Sequence, residues 1–331
     1  MNSFKGAAVL ITGGLGFIGS NLAGALVAQG AVVTLVDSLI PQYGGNLFNI
    51  HKIHGKVSVN VCDVRDPFAM AFLLKGKDYL FNLAGQTSHV DSMTYPQTDL
   101  DINASAQLSI LEACRKINPT IKIVFASTRQ LYGKPDYLPV DEKHPIRPVD
   151  VNGINKLAGE WYHLLYNNVY GIRACALRLT NTYGPGMRIK DARQTFLGIW
   201  VRSLIEGKPI MVFGDGLQLR DFNYVDDCVE ALLLAGKSEL VNGRVYNLGH
   251  SEVISLKSLA EKLVSFSNDA ICQFVPFPSD RKAIDIGDYY GDFSLIEREL
   301  GWKPKVELLE GLMRTINYYK THKHHYWNED I

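Results

Sequence analysis

Apolar and polar positions follow two rhythms along this chain. Short apolar or alternating runs at residues 7–11, 32–36, 57–61, 79–83 and 122–126 have the length and β-branched content of sheet strands. Further stretches at 17–29, 67–74, 98–116 and 152–169 read as helices that turn one face to a core. A sixth strand is predicted at 173–179. Strand and helix thus alternate through the first half, which predicts a doubly wound parallel α/β sheet of Rossmann type with right-handed crossovers. Such sheets bind ligands at the carboxyl ends of their strands.

Beyond Leu179 the elements shorten and are joined by Gly and Pro turns, such as Gly184-Pro185-Gly186, Gly207-Lys208-Pro209 and Gly214-Asp215-Gly216. Residues 225–235 and 244–248 read as a helix and a strand that return to the first sheet. The expected division is a Rossmann-type domain of 1–178 with 225–250, a smaller mixed α/β domain of 179–224 with 251–320, and a solvated tail, 321–331. A chain of 331 residues is long enough for that arrangement. The tail carries His322, His324 and His325, for which a frayed terminus is expected rather than a metal site.

Charge narrows the partners. Lys plus Arg and Asp plus Glu each number 34, so nothing electrostatic argues for nucleic acid or a membrane surface. No apolar run approaches the roughly 18 residues of a membrane span, and the start lacks the pattern of a secretory signal. The five cysteines are scattered, without a Cys-x-x-Cys pair, as expected of a reduced, cytoplasmic protein without bound metal.

The strongest chemical signal is Thr12-Gly13-Gly14-Leu15-Gly16-Phe17-Ile18-Gly19, directly after the first strand. Gly13 and Gly16 let the backbone turn and approach a phosphate, and Gly19 lets the helix pack closely. The helix then presents unpaired N–H groups to a pyrophosphate, beginning at Phe17 and Ile18. Asp37 ends the second strand, where a carboxylate grips ribose hydroxyls and repels a 2′-phosphate. The pattern therefore predicts NAD rather than NADP.

Other motifs follow in order: Asp63-Val64, Asn82-Leu83-Ala84-Gly85, Ser127-Thr128-Arg129-Gln130-Leu131-Tyr132-Gly133, Lys156 with Glu160, Arg220-Asp221-Phe222-Asn223-Tyr224, and Gly301-Trp302-Lys303-Pro304. Together they resemble the extended short-chain dehydrogenase/reductases, and among them the NAD-dependent nucleotide-sugar epimerases and dehydratases of the UDP-glucose 4-epimerase type. The resemblance runs from about residue 9 to residue 318. It implies that Asp63 and Val64 hold the adenine, that Leu83, Ala84 and Gly85 line the cofactor, and that Asn103 supports the sheet beneath. A nucleoside-diphosphate sugar is the implied partner, with Asn181 and Arg220 on its diphosphate and Arg281 as a second cation. Asp63 also reads as a turn former, and Arg220 as one half of a salt bridge with Asp221 or Asp226. Arg188 and Arg193 fall where the family adapts to its sugar, and Gln86 is expected over the sugar. Leu108, Leu111, Leu157, Trp161, Leu164 and Leu165 lie at helical spacing and are expected mostly as sheet-facing core, while the family's pairing of two such helices from each subunit implies a homodimer.

One departure concerns the chemistry itself. The family sets a tyrosine four residues before its lysine, one helical turn away, so that the lysine lowers the phenol's pKa and the phenolate takes a proton. Lys156 is present, but Asn152 stands four residues earlier. A carboxamide takes no proton. Three accounts remain open: another base near the sugar, such as His89 with Thr128 relaying; an activated keto-sugar substrate; or binding of NAD and a sugar nucleotide without turnover. Dehydratases of the family carry Asp-Glu where this chain has Arg129 and Gln130, which disfavours elimination of water. The expected activity is therefore epimerisation through a transient keto-sugar, with Lys156 holding the nicotinamide ribose, Thr128 bonding the reacting hydroxyl and Asn152 orienting it; a dehydratase or lyase is the alternative.

Overall fold

The computed structural model describes residues 4–40, 42–43, 45–191, 195–267 and 269–327; Arg193 lies outside them. Seven strands form the central sheet, all parallel, in the order β10-β6-β5-β4-β1-β2-β3. The first half contributes β1 (Ala8–Thr12), α1 (Phe17–Ala28), β2 (Val32–Asp37), β3 (Val57–Val61), α2 (Pro67–Leu73), β4 (Tyr79–Asn82), α3 (His89–Thr94), α4 (Pro96–Leu100), α5 (Ala106–Ile117), β5 (Lys122–Thr128), α6 (Val151–Tyr170) and β6 (Arg173–Leu179). From β1 the chain steps outward through β2 and β3, then crosses back to place β4 on the other side of β1. That reversal opens a crevice between the carboxyl ends of β1 and β4, where this architecture holds its ligands.

The crevice floor is pinned by a buried polar relay. Thr12 Oγ1 donates to Asn82 Oδ1 at 2.8 Å and accepts from the Leu83 and Ala84 amides at 3.0 and 3.1 Å. Those two amides are drawn to a side chain, and β4 accordingly ends at Asn82, one residue before the expected limit. Asn82 Nδ2 in turn donates to Gln107 Oε1 at 2.6 Å.

The single helix expected at 98–116 is interrupted. Pro96 starts α4, a π-type turn covers Asp101–Ser105, and α5 begins at Ala106. The wide turn is stabilised from outside the helical ladder: Asn103 Nδ2 donates to the Gln86 carbonyl at 2.9 Å, and Gln107 Nε2 to the Ile102 carbonyl at 3.0 Å. Ahead of it the short α3, capped by Ser88 on the Asp91 amide, was not foreseen and carries His89.

The rest of the chain forms β7 (Asn181–Tyr183), α7 (Phe196–Glu206), β8 (Ile210–Phe213), β9 (Leu219–Tyr224), α8 (Val225–Lys237), β10 (Val245–Asn247), β11 (Val253–Ser255), α9 (Leu256–Val264), β12 (Cys272–Val275), α10 (Ser279–Lys282), α11 (Ser294–Leu300) and α12 (Leu308–His322). Outside the central sheet, β11, β9 and β7 make a three-stranded sheet and β12 pairs with β8. Trp302 is fully buried and donates to the Asp227 carbonyl at 2.9 Å, fastening the Gly-Trp-Lys-Pro segment to α8. The tail is not frayed as far as it is described. His325 stacks on Phe48 at 3.6 Å between ring centroids, and Trp327 is buried. No helix among the described residues is long and apolar enough to cross a membrane.

Candidate active site

A cleft of about 650 Å³ runs along the carboxyl ends of the central strands, from the glycine loop after β1 to α10. Its first half is shaped for a dinucleotide. Gly13 has φ +67°, and a Cβ on Gly19 would lie 2.2 Å from the Gly13 carbonyl oxygen, so the loop closes on the helix start only with glycine there. Gly13, Gly16, Phe17, Ile18 and Gly19 all line the cleft. Asp37 does as well, its Oδ2 accepting from the Leu15 amide at 3.1 Å and its Oδ1 from the Leu39 amide at 2.9 Å. Burial raises its pKa, and those amides work against the rise. Asp63 and Val64 line the next stretch, with the Asp63 carboxylate gripped in a fork by Arg65 Nε and Nη2 at 3.0 and 2.7 Å, which holds its pKa down. The glycine cradle, the helix start and the acid at the end of β2 fit NAD.

Leu83, Ala84 and Gly85 form the wall after β4. Gly85 is required by what lies behind it, since a Cβ there would be 2.7 Å from Lys156 Nζ and 2.9 Å from Asn103 Oδ1. Asn103 therefore stands behind the loop and off the cleft wall, holding the Gln86 carbonyl. Lys156 lies in the cleft wall and, among the described residues, makes one hydrogen bond, from Nζ to the Ala126 carbonyl at 3.2 Å; it sits 5.1 Å above the Phe125 ring. Burial lowers its pKa to about 8, against the pull of Asp99.

Asn152 is tied down at the position where the family sets its tyrosine. Its Nδ2 donates to the Gln86 carbonyl at 2.8 Å and to Asp99 Oδ2 at 3.0 Å, while Asp99 Oδ1 accepts from Asn155 at 2.8 Å. Asp99 is fully buried, so its carboxylate fixes the amide orientation of Asn152. Thr128 ends β5 at the cleft and accepts the Gln130 amide at 3.2 Å, leaving its hydroxyl proton to donate.

His89 also lines this end. Its Nδ1 lies 3.0 Å from Asp150 Oδ2 without the alignment of a hydrogen bond, and the ring is 35% exposed while Asp150 is wholly buried. Asp150 caps α6 on the Gly153 amide at 2.6 Å and accepts from Gln130 Nε2 at 2.8 Å. Burial raises the Asp150 pKa, but His89, Gly153 and Gln130 together bring it below the usual carboxylate value. A partly exposed imidazole beside a buried carboxylate, at the sugar end of the cleft, is a candidate general base.

The far end is cationic. Asn181, Arg220 and Arg281 line it. Asn181 Oδ1 accepts from Arg129 at 3.0 Å and its Nδ2 donates to the Asp221 carbonyl. Arg220 donates through Nη1 to the Leu219 and Gly287 carbonyls, and its ionic neighbour is Asp285 at 3.7 Å rather than Asp221 or Asp226. Asp221 is taken by Thr180 at 2.5 Å, and Asp226 by Arg314 at 3.5 Å. Arg281 stacks on Phe213, 5.3 Å above its ring.

Two expected sugar contacts are placed elsewhere. Gln86 folds back on its own turn, with Nε2 donating to the Ser88 carbonyl at 2.9 Å and Oε1 accepting the Ser88 amide at 2.5 Å, so its buried amide is consumed locally. Arg188 is off the cleft wall and pairs with Asp191, three residues on, at 2.5 Å. Asp99 and Asp150 escaped sequence reasoning. Asp150 had a signal: an acid three residues before a glycine at a helix start is a cap.

Comparison with known proteins agrees with this geometry. The model of the NAD dependent epimerase/dehydratase family matches residues 9–249. The chain is 35% identical to a candidate UDP-glucose 4-epimerase of Methanocaldococcus jannaschii, over 94% of this chain and 98% of that protein. It is 31% identical to a dTDP-glucose 4,6-dehydratase of Streptomyces griseus, over 98% and 96% of the two chains. Among solved structures, a UDP-glucose 4-epimerase of Thermotoga maritima with UDP-glucose superposes with a TM-score of 0.86 at 29% identity, covering 96% of this chain and 99% of that one. A glycine cradle facing an acid, with Lys156 and Thr128 further along the same cleft, thus coincides with likeness over nearly the full length. The chain belongs to the NAD-dependent epimerase/dehydratase family.

Proposed function

We propose that the chain is a nucleotide-sugar epimerase that oxidises a ring carbinol transiently to a ketone and restores it with the opposite configuration. The observation that carries this reading is one continuous cleft with the dinucleotide cradle at one end, Arg220 and Arg281 at the other, and Thr128, Lys156, Asn152 and His89 between. NAD, when bound, supplies the reversible oxidation of the sugar alcohol. The chain's own residues divide the rest. Lys156 keeps a cation beneath Gly85 and holds the nicotinamide ribose, Thr128 donates to the reacting oxygen, and Asn152, fixed by Asp99, orients the sugar by accepting from a neighbouring hydroxyl. His89 takes the hydroxyl proton and returns it, and Asp150 steadies the charged ring.

Elimination of water fits less well, because Gln130 is buried with its amide on Asp150 and Arg129 is a cation. The five free thiols support a reducing, cytoplasmic setting. A homodimer through α5 and α6 completes the proposal.

The test is incubation with UDP-, CDP-, dTDP- and GDP-hexoses, following epimer composition by NMR. Wild type is expected to interconvert one pair of epimers. His89→Ala is expected to lose about 10²- to 10⁴-fold in kcat with NAD retained, and added imidazole should recover part of the loss. Stable release of an unsaturated or dehydrated product would show a lyase instead, and binding of every ligand without turnover a non-catalytic relative.

A further inference from the structure

The loop after β5 carries a cation without a direct ionic partner among the described residues. Arg129 follows Thr128, lines the cleft, and donates through Nη2 to Asn181 Oδ1 at 3.0 Å. Its guanidinium lies 5.0 Å above the Tyr289 ring, and its Nη1 is buried with no hydrogen-bond partner. The carboxylates within electrostatic range are Asp221, Asp285 and Asp150. Asp221 is held by Thr180 and Gly291, Asp285 faces Arg220, and Asp150 serves His89 and the α6 cap.

A buried guanidinium with an unsatisfied donor is costly unless something fills it. A second cation aggravates the cost, because burial and then Arg129 lower the Arg220 pKa to about 10. Two guanidinium groups on one cleft wall repel each other until an anion lies between them. The guanidinium of Arg129, fixed by Asn181 and stacked on Tyr289, is a planar cationic donor of the kind that suits an oxyanion.

We propose that Arg129 binds an anionic oxygen group of the substrate where the hexose meets the diphosphate. The inference rests on the nucleotide-sugar reading above. Two parts of such a substrate present this chemistry at that point: the phosphate nearest the sugar, and a carboxylate on the hexose. Arg129 follows Thr128 and lines the same cleft as Arg220.

Calorimetric titration of the wild type with the nucleoside diphosphates first identifies the base. The matching diphosphate, its glucose conjugate and its glucuronate conjugate are then titrated into wild type and Arg129→Gln. If the phosphate is the partner, Arg129→Gln weakens all three by about tenfold or more. If a sugar carboxylate is the partner, only the glucuronate conjugate weakens, and wild type prefers it over the glucose conjugate. Unchanged affinity for all three overturns the role of Arg129, whereas a wild type that binds no nucleotide overturns the functional reading itself. Thermal melts report folding. Should Arg129→Gln fail to fold, Arg129→Lys, which keeps the charge and loses the fork, carries the same comparison.

Discussion

Lys156 shows what burial does to one side chain. Its cation has a single carbonyl contact and an aromatic face beneath it, and desolvation lowers its pKa to about 8. The charged form is the one disfavoured in the folded state, so the penalty on folding is full below about pH 8 and fades as pH rises toward the ordinary lysine value. Binding runs the other way, since only the cation attracts the dinucleotide. NAD affinity is therefore expected to fall as pH passes upward through about 8. Lys156→Ala should lower that affinity about tenfold or more and flatten the pH dependence, as read by calorimetry across that range. Full affinity with an unchanged profile would remove Lys156 from the cofactor. The spacing of residues 152 and 156 exposed the missing phenol directly, because helical periodicity is local. Where Gln86 points was not legible. The neighbouring Ser88 main chain satisfied both ends of its amide, a choice made by turn geometry and not by residue type.

On α6 the two faces do different work. Asn152, Lys156 and Glu160 recur every four residues and are all buried toward the cleft and the sheet. Glu160 accepts from Arg178 Nε and Nη2 of β6 at 3.0 and 2.6 Å and from Ser127 at 2.6 Å, and Arg178 reaches on to the Tyr132 hydroxyl. Helix, β5 and β6 are thus joined beneath the active site. Removing one partner strands the other charge in the interior, so Glu160→Ala should cost about 3–5 kcal/mol, measured by chemical denaturation. A loss within about 0.5 kcal/mol, the ordinary surface range, would mean that the network has no structural weight. Elements of this kind were readable because apolar periodicity defines α6 and the parallel strands. The break at Asp101–Ser105 was not readable, because the bond that holds it runs to Gln86, distant in sequence.

The same helix connects the site to the surface of the whole molecule. Ile154, Trp161, Leu165 and Val169 form a stripe along its outer face, with Trp161, Leu165 and Val169 exposed to 57%, 50% and 60%. Apolar side chains aligned at helical spacing and left in water are costly, and a second copy of the same face removes all of them at once. The stripe begins two residues from Asn152 and lies back to back with Lys156. A rigid partner helix would therefore hold the cleft-facing residues in register. Light scattering with size-exclusion chromatography should return two chains per particle, and Trp161→Glu with Leu165→Glu should return one. If the dimer steadies the site, the monomeric variant keeps its cofactor cradle, which is built from β1, β2 and β4, yet loses turnover. NAD affinity should then stay near the wild-type value while kcat falls. A wild type that elutes as a single chain would leave the stripe without a partner, and a monomeric variant with undiminished kcat would show that α6 is held by the sheet alone.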